Sequence, residues 1–369
     1  MDKNSKIVVL GVSGLVGGAI TRKLIEKGYT NIIGVYHTRK PLIDVELIKL
    51  DVMRQQETED FFREIKPEYV FLAASKVGGI YANNTYKADF IYQNIIIAAN
   101  VIHSAFKFGV KKLLNLGSSC IYPRNSPQPM KEEYLLTDTL EPTNEPYAIA
   151  KISAIKMCRY YNEQYKTNFI SAMPTNLYGP GDNFDLMDSH VLAALIRKFH
   201  LGKLLRNKDW EMLFFDLKKR PLKELDHRKA TNEEIVSVLS KYGITADALY
   251  IWGSGEVFRE FLYVDDLADA CVFLMEKIDS EAMREISPDY FVNVGVGEDI
   301  KINDLANIVK ETIGFEGGIE HDFSKPDGVP RKLLDISKIR ALGWEPKFRN
   351  LKEGIRKTYE WYLQDILKS

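Results

Sequence analysis

Three glycines, Gly11, Gly14 and Gly17, follow the apolar run Ile7–Leu10 and open a stretch with helical periodicity that stops at Gly28. A short apolar strand, a glycine-rich turn and a helix, in that order, constrain the fold more than any other feature of the chain. Glycine lets the backbone turn tightly and lets a phosphate approach closely. The helix start behind it offers unpaired N–H groups and the positive end of a dipole. A glycine triplet alone also fits an ordinary turn. Its position between first strand and first helix points instead to a dinucleotide-binding unit.

The rest of the first half keeps that alternation. Strands are expected at Lys6–Leu10, Asn31–Tyr36, Tyr69–Ala73, Lys112–Gly117 and Phe169–Met173, apolar almost throughout, as strands covered on both faces are. A helix with Ile91, Ile95, Ala98, Ile102 and Ala105 at helical spacing is expected over Asp89–Phe108. The predicted fold class is α/β: a Rossmann-type doubly wound parallel sheet with a smaller C-terminal α/β domain. The expected division is 1–175 plus about 264–290 for the first domain, and 176–263 plus 291–369 for the second. A helix is expected at Val191–His200. Between Lys203 and Leu249 the pattern changes to a helical hairpin inserted on the second domain's surface. Trp210, Leu213, Phe214 and Leu217 mark one helix, and Thr231-x-x-Glu234 is a capping box before the next.

Bulk properties exclude several classes. Lys and Arg number 50 against 51 Asp and Glu, which is no footprint of a nucleic-acid binder. The three cysteines, Cys120, Cys158 and Cys271, are odd in number and far apart, and none has metal-site spacing, so neither a disulfide framework nor a bound metal is expected. The first apolar run is too short for a leader or a membrane span. A reducing cytoplasm is the natural setting.

Dinucleotide folds that take NAD usually carry an acid after the second strand. Here Tyr36-His37-Thr38-Arg39-Lys40 carries none. Arg39 and Lys40 fit a 2′-phosphate, hence NADP(H), although Arg39 also fits a solvated loop charge. Asp51 is placed to receive the adenine amino group. Tyr147 and Lys151 lie at i and i+4, on one helical face. Tyrosine titrates near ~10 and needs help to exchange a proton at neutral pH, and a neighbouring ammonium favours its phenolate. Ser118 and Ser119 follow the fourth expected strand. If the chain stays extended there, Ser118 and Cys120 point the same way.

Taken together, Gly11-x-x-Gly14-x-x-Gly17, Ser118 and Tyr147-x-x-x-Lys151 resemble the extended short-chain dehydrogenase/reductase family. Within it, the chain resembles the GDP-L-fucose synthases, the 3,5-epimerase-4-reductases of GDP-4-keto-6-deoxy-D-mannose. That likeness rests on Lys76-Val77-Gly78-Gly79-Ile80, Ser118-Ser119-Cys120-Ile121-Tyr122-Pro123, Pro142 to Tyr147, Pro174 to Pro180, Asp182-Asn183-Phe184, Ser189-His190-Val191 and Lys325 to Gly328. It covers nearly the whole chain except the 203–249 insertion.

The resemblance implies a reductase triad of Ser118, Tyr147 and Lys151, with Cys120 and His190 as the pair that epimerises C3 and C5 before reduction at C4. A proton beside a ketone becomes acidic when the oxygen is stabilised as an enolate, and Ser118 and Tyr147 can donate to it. A thiol near ~8.5 and an imidazole near ~6.5 bracket neutral pH, as a base and an acid should. From the residues alone, Cys120 equally fits an apolar filler and His190 a turn residue capping the next helix.

Further cofactor contacts implied are Ser13, Leu15, Val16, Leu72, Ala73, Ala74, Pro174, Asn176 and Leu177, with His190. Val77, Gly78, Ser119, Cys120, Asn176 and Asn183 are expected on the sugar side. The diphosphate needs cations, and Arg197, Lys198, Arg259, Lys325 and Arg331 are candidates, with Trp252 packing on the nucleotide. The resemblance also implies a homodimer through the helices near Asp89–Phe108 and Tyr147–Tyr165, a GDP-sugar as small-molecule partner, and neither nucleic acid nor membrane. A reductase or epimerase/reductase for a related GDP-4-keto-deoxysugar or heptose is the alternative. A non-catalytic nucleotide sensor is a third reading, disfavoured because Tyr147 and Lys151 are both present.

Overall fold

The computed structural model describes residues 1–226, 228–325 and 327–368. His227, and Pro326 within the Lys325–Gly328 motif, lie outside the described residues. The chain divides into two compact units, 1–177 with 260–298 and 333–349, and 178–259 with 299–332 and 350–369.

The first unit is a seven-stranded parallel sheet: β1 (Ile7–Leu10), β2 (Ile32–Tyr36), β3 (Glu46–Lys49), β4 (Tyr69–Leu72), β5 (Lys112–Leu116), β6 (Phe169–Pro174) and β7 (Phe291–Val294). Spatial order is β7-β6-β5-β4-β1-β2-β3. The order reverses between β1 and β4, which pair Ile7 with Tyr69 through Leu10 with Leu72. Ligands of open α/β sheets bind at such a switch point, beyond the carboxyl ends of the strands.

Helices cover both faces. On one, α1 (Leu15–Glu26) and α5 (Val264–Lys277) bury Ile20, Leu24, Leu267 and Cys271 with Ile7, Val9 and Phe71. On the other, α2 (Gln55–Ile65), α3 (Lys87–Lys107) and α4 (Glu145–Tyr165) bury Phe62, Ile102, Ala154 and Cys158 with Val8, Leu10 and Val70. Adjacent strand residues feed opposite cores, which is why the strands read as unbroken apolar runs.

Two strands were not expected. β3 is only four residues long, and Phe291–Val294, expected to begin the second domain, pairs with β6 as the seventh strand. Residues 333–349 also fold into the first unit.

In the second unit, Ala248–Trp252 pairs in parallel with Gly318–Asp322, and Phe258–Arg259 is flanked by Ile300–Lys301 and Arg331–Lys332. The helix expected at Val191–His200 continues to Asn207, so Lys203–Leu205 belong to it and not to the hairpin. Two inserted helices follow, Trp210–Lys219 and Asn232–Lys241. The second has its capping box complete: the Thr231 N–H donates to Glu234 Oε2 at 2.8 Å and the Glu234 N–H to Thr231 Oγ at 3.3 Å. The insertion is not a surface appendage. Leu213, Leu217, Ile235, Val238 and Leu239 share a buried core with Leu201, Leu204 and Leu205.

No helix among the described residues is long and apolar enough to cross a membrane.

Candidate active site

The glycine loop fits a pyrophosphate. Gly11 adopts φ +87°, and a Cβ there would lie 2.7 Å from the Ala74 nitrogen; one on Gly17 would lie 2.2 Å from the Gly11 oxygen. Only hydrogen is tolerated at either position, so the turn after β1 lies flat against Ala73 and Ala74 after β4. Gly14 caps α1 without using any side chain, which leaves the N–H groups of Leu15 and Val16 at the helix start. Ser13 Oγ donates to the Arg39 carbonyl at 2.6 Å and ties this loop to the one following β2. The Arg39 and Lys40 side chains are exposed there. Asp51 accepts the Met53 N–H at 3.0 Å through Oδ1, and its Oδ2 lies 3.9 Å from His37 and 3.7 Å from Arg54. Among the described residues no group of side chains could hold a metal ion.

The chain does not stay extended through Cys120. β5 ends at Leu116, Ser118 alone is extended, and Ser119–Ile121 form a single 3-10 turn. Ser118 Oγ accepts the Cys120 N–H at 3.4 Å and caps that turn. Hydroxyl capping at an N-terminus outcompetes strand continuation. Cys120 is buried on that turn, which packs against α4, the helix of Tyr147 and Lys151, and negative charge on its thiol opposes loss of a proton from either.

Tyr147 and Lys151 occupy the first turns of α4, which Pro146 helps to start. Lys151 is buried, with Nζ donating to the Leu116 carbonyl at 2.8 Å and lying 5.6 Å from the Tyr147 ring centre. Burial lowers its pKa to about 8. The Tyr147 phenol is pushed up, by burial first and then by Cys120, against a lowering contact from Ser75. Burial thus outweighs the expected pull toward phenolate, and Tyr147 holds its proton at neutral pH.

Sequence reasoning missed Ser75 and Asn94. Ser75 Oγ donates to Asn94 Oδ1 at 2.6 Å, and the Asn94 amide donates to the Lys76 carbonyl at 3.0 Å while its oxygen accepts the Lys76 N–H at 2.8 Å. Asn94 therefore fixes the Ser75–Lys76 backbone, next to Val77 (63% exposed) and to Gly78, where a Cβ would crowd Ala82 at 2.9 Å. The edge of Phe90 meets Tyr147, ring centres 6.2 Å apart. Ser119 is buried. Leu72 ends β4, Pro174 ends β6, and Leu177 packs half-buried on the sheet core. The Asn176 amide donates to the Glu260 carbonyl at 2.9 Å. Glu260, also missed, is wholly buried and accepts the N–H groups of Val296, Gly297 and Leu334 at 2.6–3.0 Å.

The remaining candidates belong to the second unit. His190 precedes the Val191–Asn207 helix, but its imidazole makes no capping bond. Desolvation by surrounding protein lowers its pKa although the residue keeps accessible surface, so the ring is neutral at neutral pH. Asn183 is exposed, with its side-chain oxygen accepting the Asp185 N–H at 3.0 Å. Neighbouring Asp182 was not singled out from sequence. Burial lifts its carboxyl to about 7, and Oδ2 has no hydrogen-bond partner.

Arg197 does not serve a ligand. It is fully buried, with Nη2 2.8 Å from Asp216 Oδ1. Lys198, one residue on, turns elsewhere: burial lowers its pKa to about 8 against the pull of Asp322. Lys325 Nζ stands 5.6 Å over the ring of Trp252, which is 40% exposed. Arg259 is half-buried, its Nη1 donating to the Phe258 carbonyl at 2.7 Å, with Asp327 the nearby charge. Arg331 is clasped by Asp299 through two bonds of 2.5 and 3.0 Å, so a ligand would have to share its guanidinium.

Residues 7–220 and 226–295 match the NAD dependent epimerase/dehydratase family. The chain is 48% identical to GDP-L-fucose synthase 1 of Arabidopsis thaliana, over 99% of this chain and 95% of that one. It is 42% identical to the GDP-L-fucose synthase of Escherichia coli strain K12, over 98% and 97%. Among solved structures, a GDP-D-glycero-L-gluco-heptose synthase of Campylobacter jejuni, solved in the presence of NADPH, is 40% identical with a TM-score of 0.87, over 98% of this chain and 99% of that one.

Proposed function

The chain belongs to the NAD dependent epimerase/dehydratase family, and we propose that it acts as a GDP-L-fucose synthase, epimerising GDP-4-keto-6-deoxy-D-mannose at C3 and C5 and reducing C4. The observation that carries this reading is the turn bearing Cys120, packed against the helix that carries Tyr147 and Lys151. A plain reductase needs the tyrosine and lysine only.

The cofactor is NADP(H), held by the Gly11–Gly17 loop, whose missing Cβ atoms leave room for the pyrophosphate, and by Arg39 at the 2′-phosphate. When bound, it supplies the hydride for C4. Ser118 and Tyr147 donate hydrogen bonds to the C4 oxygen, and as enolate charge develops there the C3 and C5 protons become removable. Cys120 and His190 exchange those protons: the neutral imidazole accepts one as base, the Cys120 thiol donates one as acid, and the imidazolium formed returns its proton when the roles reverse. Tyr147 then gives its proton to the C4 oxygen. Lys151 supports the phenolate left behind. Lys198, Lys325 and Arg259 neutralise the diphosphate, and Trp252 packs on the nucleotide.

Two further elements belong to this reading. The exposed Tyr92 and Tyr160, with Ile149 and Tyr165, lie on α3 and α4 and offer a homodimer face. A reducing cytoplasm suits a mechanism that needs Cys120 as a thiol.

Incubation with GDP-4-keto-6-deoxy-mannose and NADPH in D₂O tests the proposal. GDP-L-fucose carrying deuterium at C3 and C5 is expected, and its absence refutes the assignment. Likeness to the Campylobacter jejuni heptose synthase favours one alternative, a related GDP-ketoheptose as substrate. Comparing kcat/KM on both ketosugars separates the two.

A further inference from the structure

The 203–249 segment has no role in the chemistry above, yet it supplies a buried charge. Asp216, on the inserted helix Trp210–Lys219, is fully buried. Its Oδ1 accepts Arg197 Nε at 3.0 Å and Nη2 at 2.8 Å, and its Oδ2 accepts the Tyr362 hydroxyl. The same guanidinium donates through Nη1 to the Phe184 carbonyl at 3.2 Å and through Nη2 to the Arg220 carbonyl at 2.5 Å. Phe184 is itself buried, ring centre 4.8 Å from that of Tyr362.

Phe184 lies in the loop from Asn183 to His190. Within that loop Asp185 Oδ1 accepts the N–H groups of Met187 and Asp188 at 2.8 and 2.9 Å, and Ser189 Oγ donates to the Asp185 carbonyl. The loop is therefore a stiff turn, and the grip on Phe184 fixes it from below. Since the His190 imidazole makes no capping bond, its placement depends on this loop and on the helix carrying Arg197.

We propose that the insertion is a positioning element for His190: Asp216 holds Arg197, and Arg197 holds the Phe184 carbonyl. Asp216 and Arg197 are thus positioning residues, and the inserted helix is the source of the counter-charge that lets a guanidinium be buried under the loop. An unpaired guanidinium there would be strongly disfavoured. The inference rests on the proposed role of His190 in proton exchange.

The test uses the NADPH-loaded full chain carrying Arg197→Met with Asp216→Leu, an apolar pair of similar volume that leaves no buried charge. Two rates are read: deuterium uptake at C3 and C5 from D₂O, and hydride transfer from GDP-L-fucose to NADP⁺, which needs no epimerisation. Uptake is expected to fall at least about tenfold, since an ångström of misplacement costs on the order of 10²-fold, with hydride transfer within about twofold of wild type. Arg197→Lys, which keeps a charged donor, is expected to recover part of the uptake. Equal loss in both rates, or loss in neither, overturns the inference. If the double variant gives no cooperative melt, Tyr362→Phe, which removes only the donor to Asp216, is read in the same way and must lower uptake selectively. If the wild-type chain itself takes up no deuterium while reducing the ketosugar, the proposed function fails first and this inference with it.

Discussion

Lys151 donates its ammonium to the carbonyl of Leu116 at 2.8 Å, so the last residue of β5 fixes the first turns of α4 and with them the Tyr147 phenol. The same strand end leads through Ser118 into the turn that buries Cys120. Proton donor, supporting cation and thiol are thus set by one strand-to-turn junction. Tyr147→Phe keeps the ring and its edge contact with Phe90 and removes the hydroxyl. Reduction is expected to fall roughly 10²–10⁴-fold, the usual worth of a positioned acid, with deuterium uptake lowered far less because Ser118 still donates to the C4 oxygen. Cys120→Ser is expected to do the reverse. Product analysis by mass spectrometry distinguishes the two, and loss of both activities in either variant contradicts the division of labour.

The pH dependence of substrate binding follows from Lys198. Burial lowers its pKa to about 8 against an ordinary lysine near ~10.4. The free protein therefore loses this cation as pH rises through 8, and diphosphate binding must restore the proton. KM for the GDP-sugar is expected to rise above about pH 8, while any fall in kcat over the same range belongs to Lys151, whose pKa is also lowered to about 8. In Lys198→Arg, a side chain that stays charged, that rise should disappear. A wild-type KM flat between pH 7 and pH 9.5 would count against Lys198 as a diphosphate ligand.

Cofactor preference tests Arg39. Its backbone is pinned by Ser13, while its side chain is exposed and within the loop that follows β2. Arg39→Ala is expected to raise KM for NADPH about tenfold, the size of one lost charge-assisted hydrogen bond, and to leave KM for NADH unchanged. Steady-state kinetics with both nucleotides decides it; a parallel change in the two would place the 2′-phosphate elsewhere.

The parts legible in the sequence are those governed by local rules. The Gly11–Gly17 loop, the first helix stop at Gly28 and the Thr231/Glu234 capping box each depend on residues a few positions apart, and each forms as read. Errors arose where a distant partner decides. Ser118 and Cys120 would share one side only if the segment stayed extended, and a hydroxyl cap folds it into a turn instead. Arg197 and Lys198 look equivalent as neighbouring cations. A helix turns them about 100° apart, and only Asp216, on the insertion, determines that Arg197 faces inward. β7 was missed as a sheet strand because Phe291–Val294 carries no local sign that its partner is β6, more than a hundred residues earlier. Asn94 was read only as part of a helix, since the amide's grip on Lys76 is a tertiary contact.

Gly11→Ala offers a direct test of the cofactor loop. Its φ of +87° strains any L-residue with a side chain, and its Cβ would meet Ala74 N at 2.7 Å and the Ala73 carbonyl carbon at 2.9 Å. The left-handed backbone costs roughly 1–2 kcal/mol, and crowding against main chain that cannot rotate away adds about 1–3 kcal/mol. Gly28 is the internal control: its φ is +79°, but a Cβ there meets nothing within 4 Å. Gly28→Ala is therefore expected to lose only the backbone part in a urea melt and to bind NADPH normally by fluorescence titration. Gly11→Ala should lose more stability and bind NADPH at least about tenfold more weakly, a difference of ~1.4 kcal/mol. If the two variants bind NADPH equally well, the close approach of the first turn to Ala73 and Ala74 is not what admits the pyrophosphate.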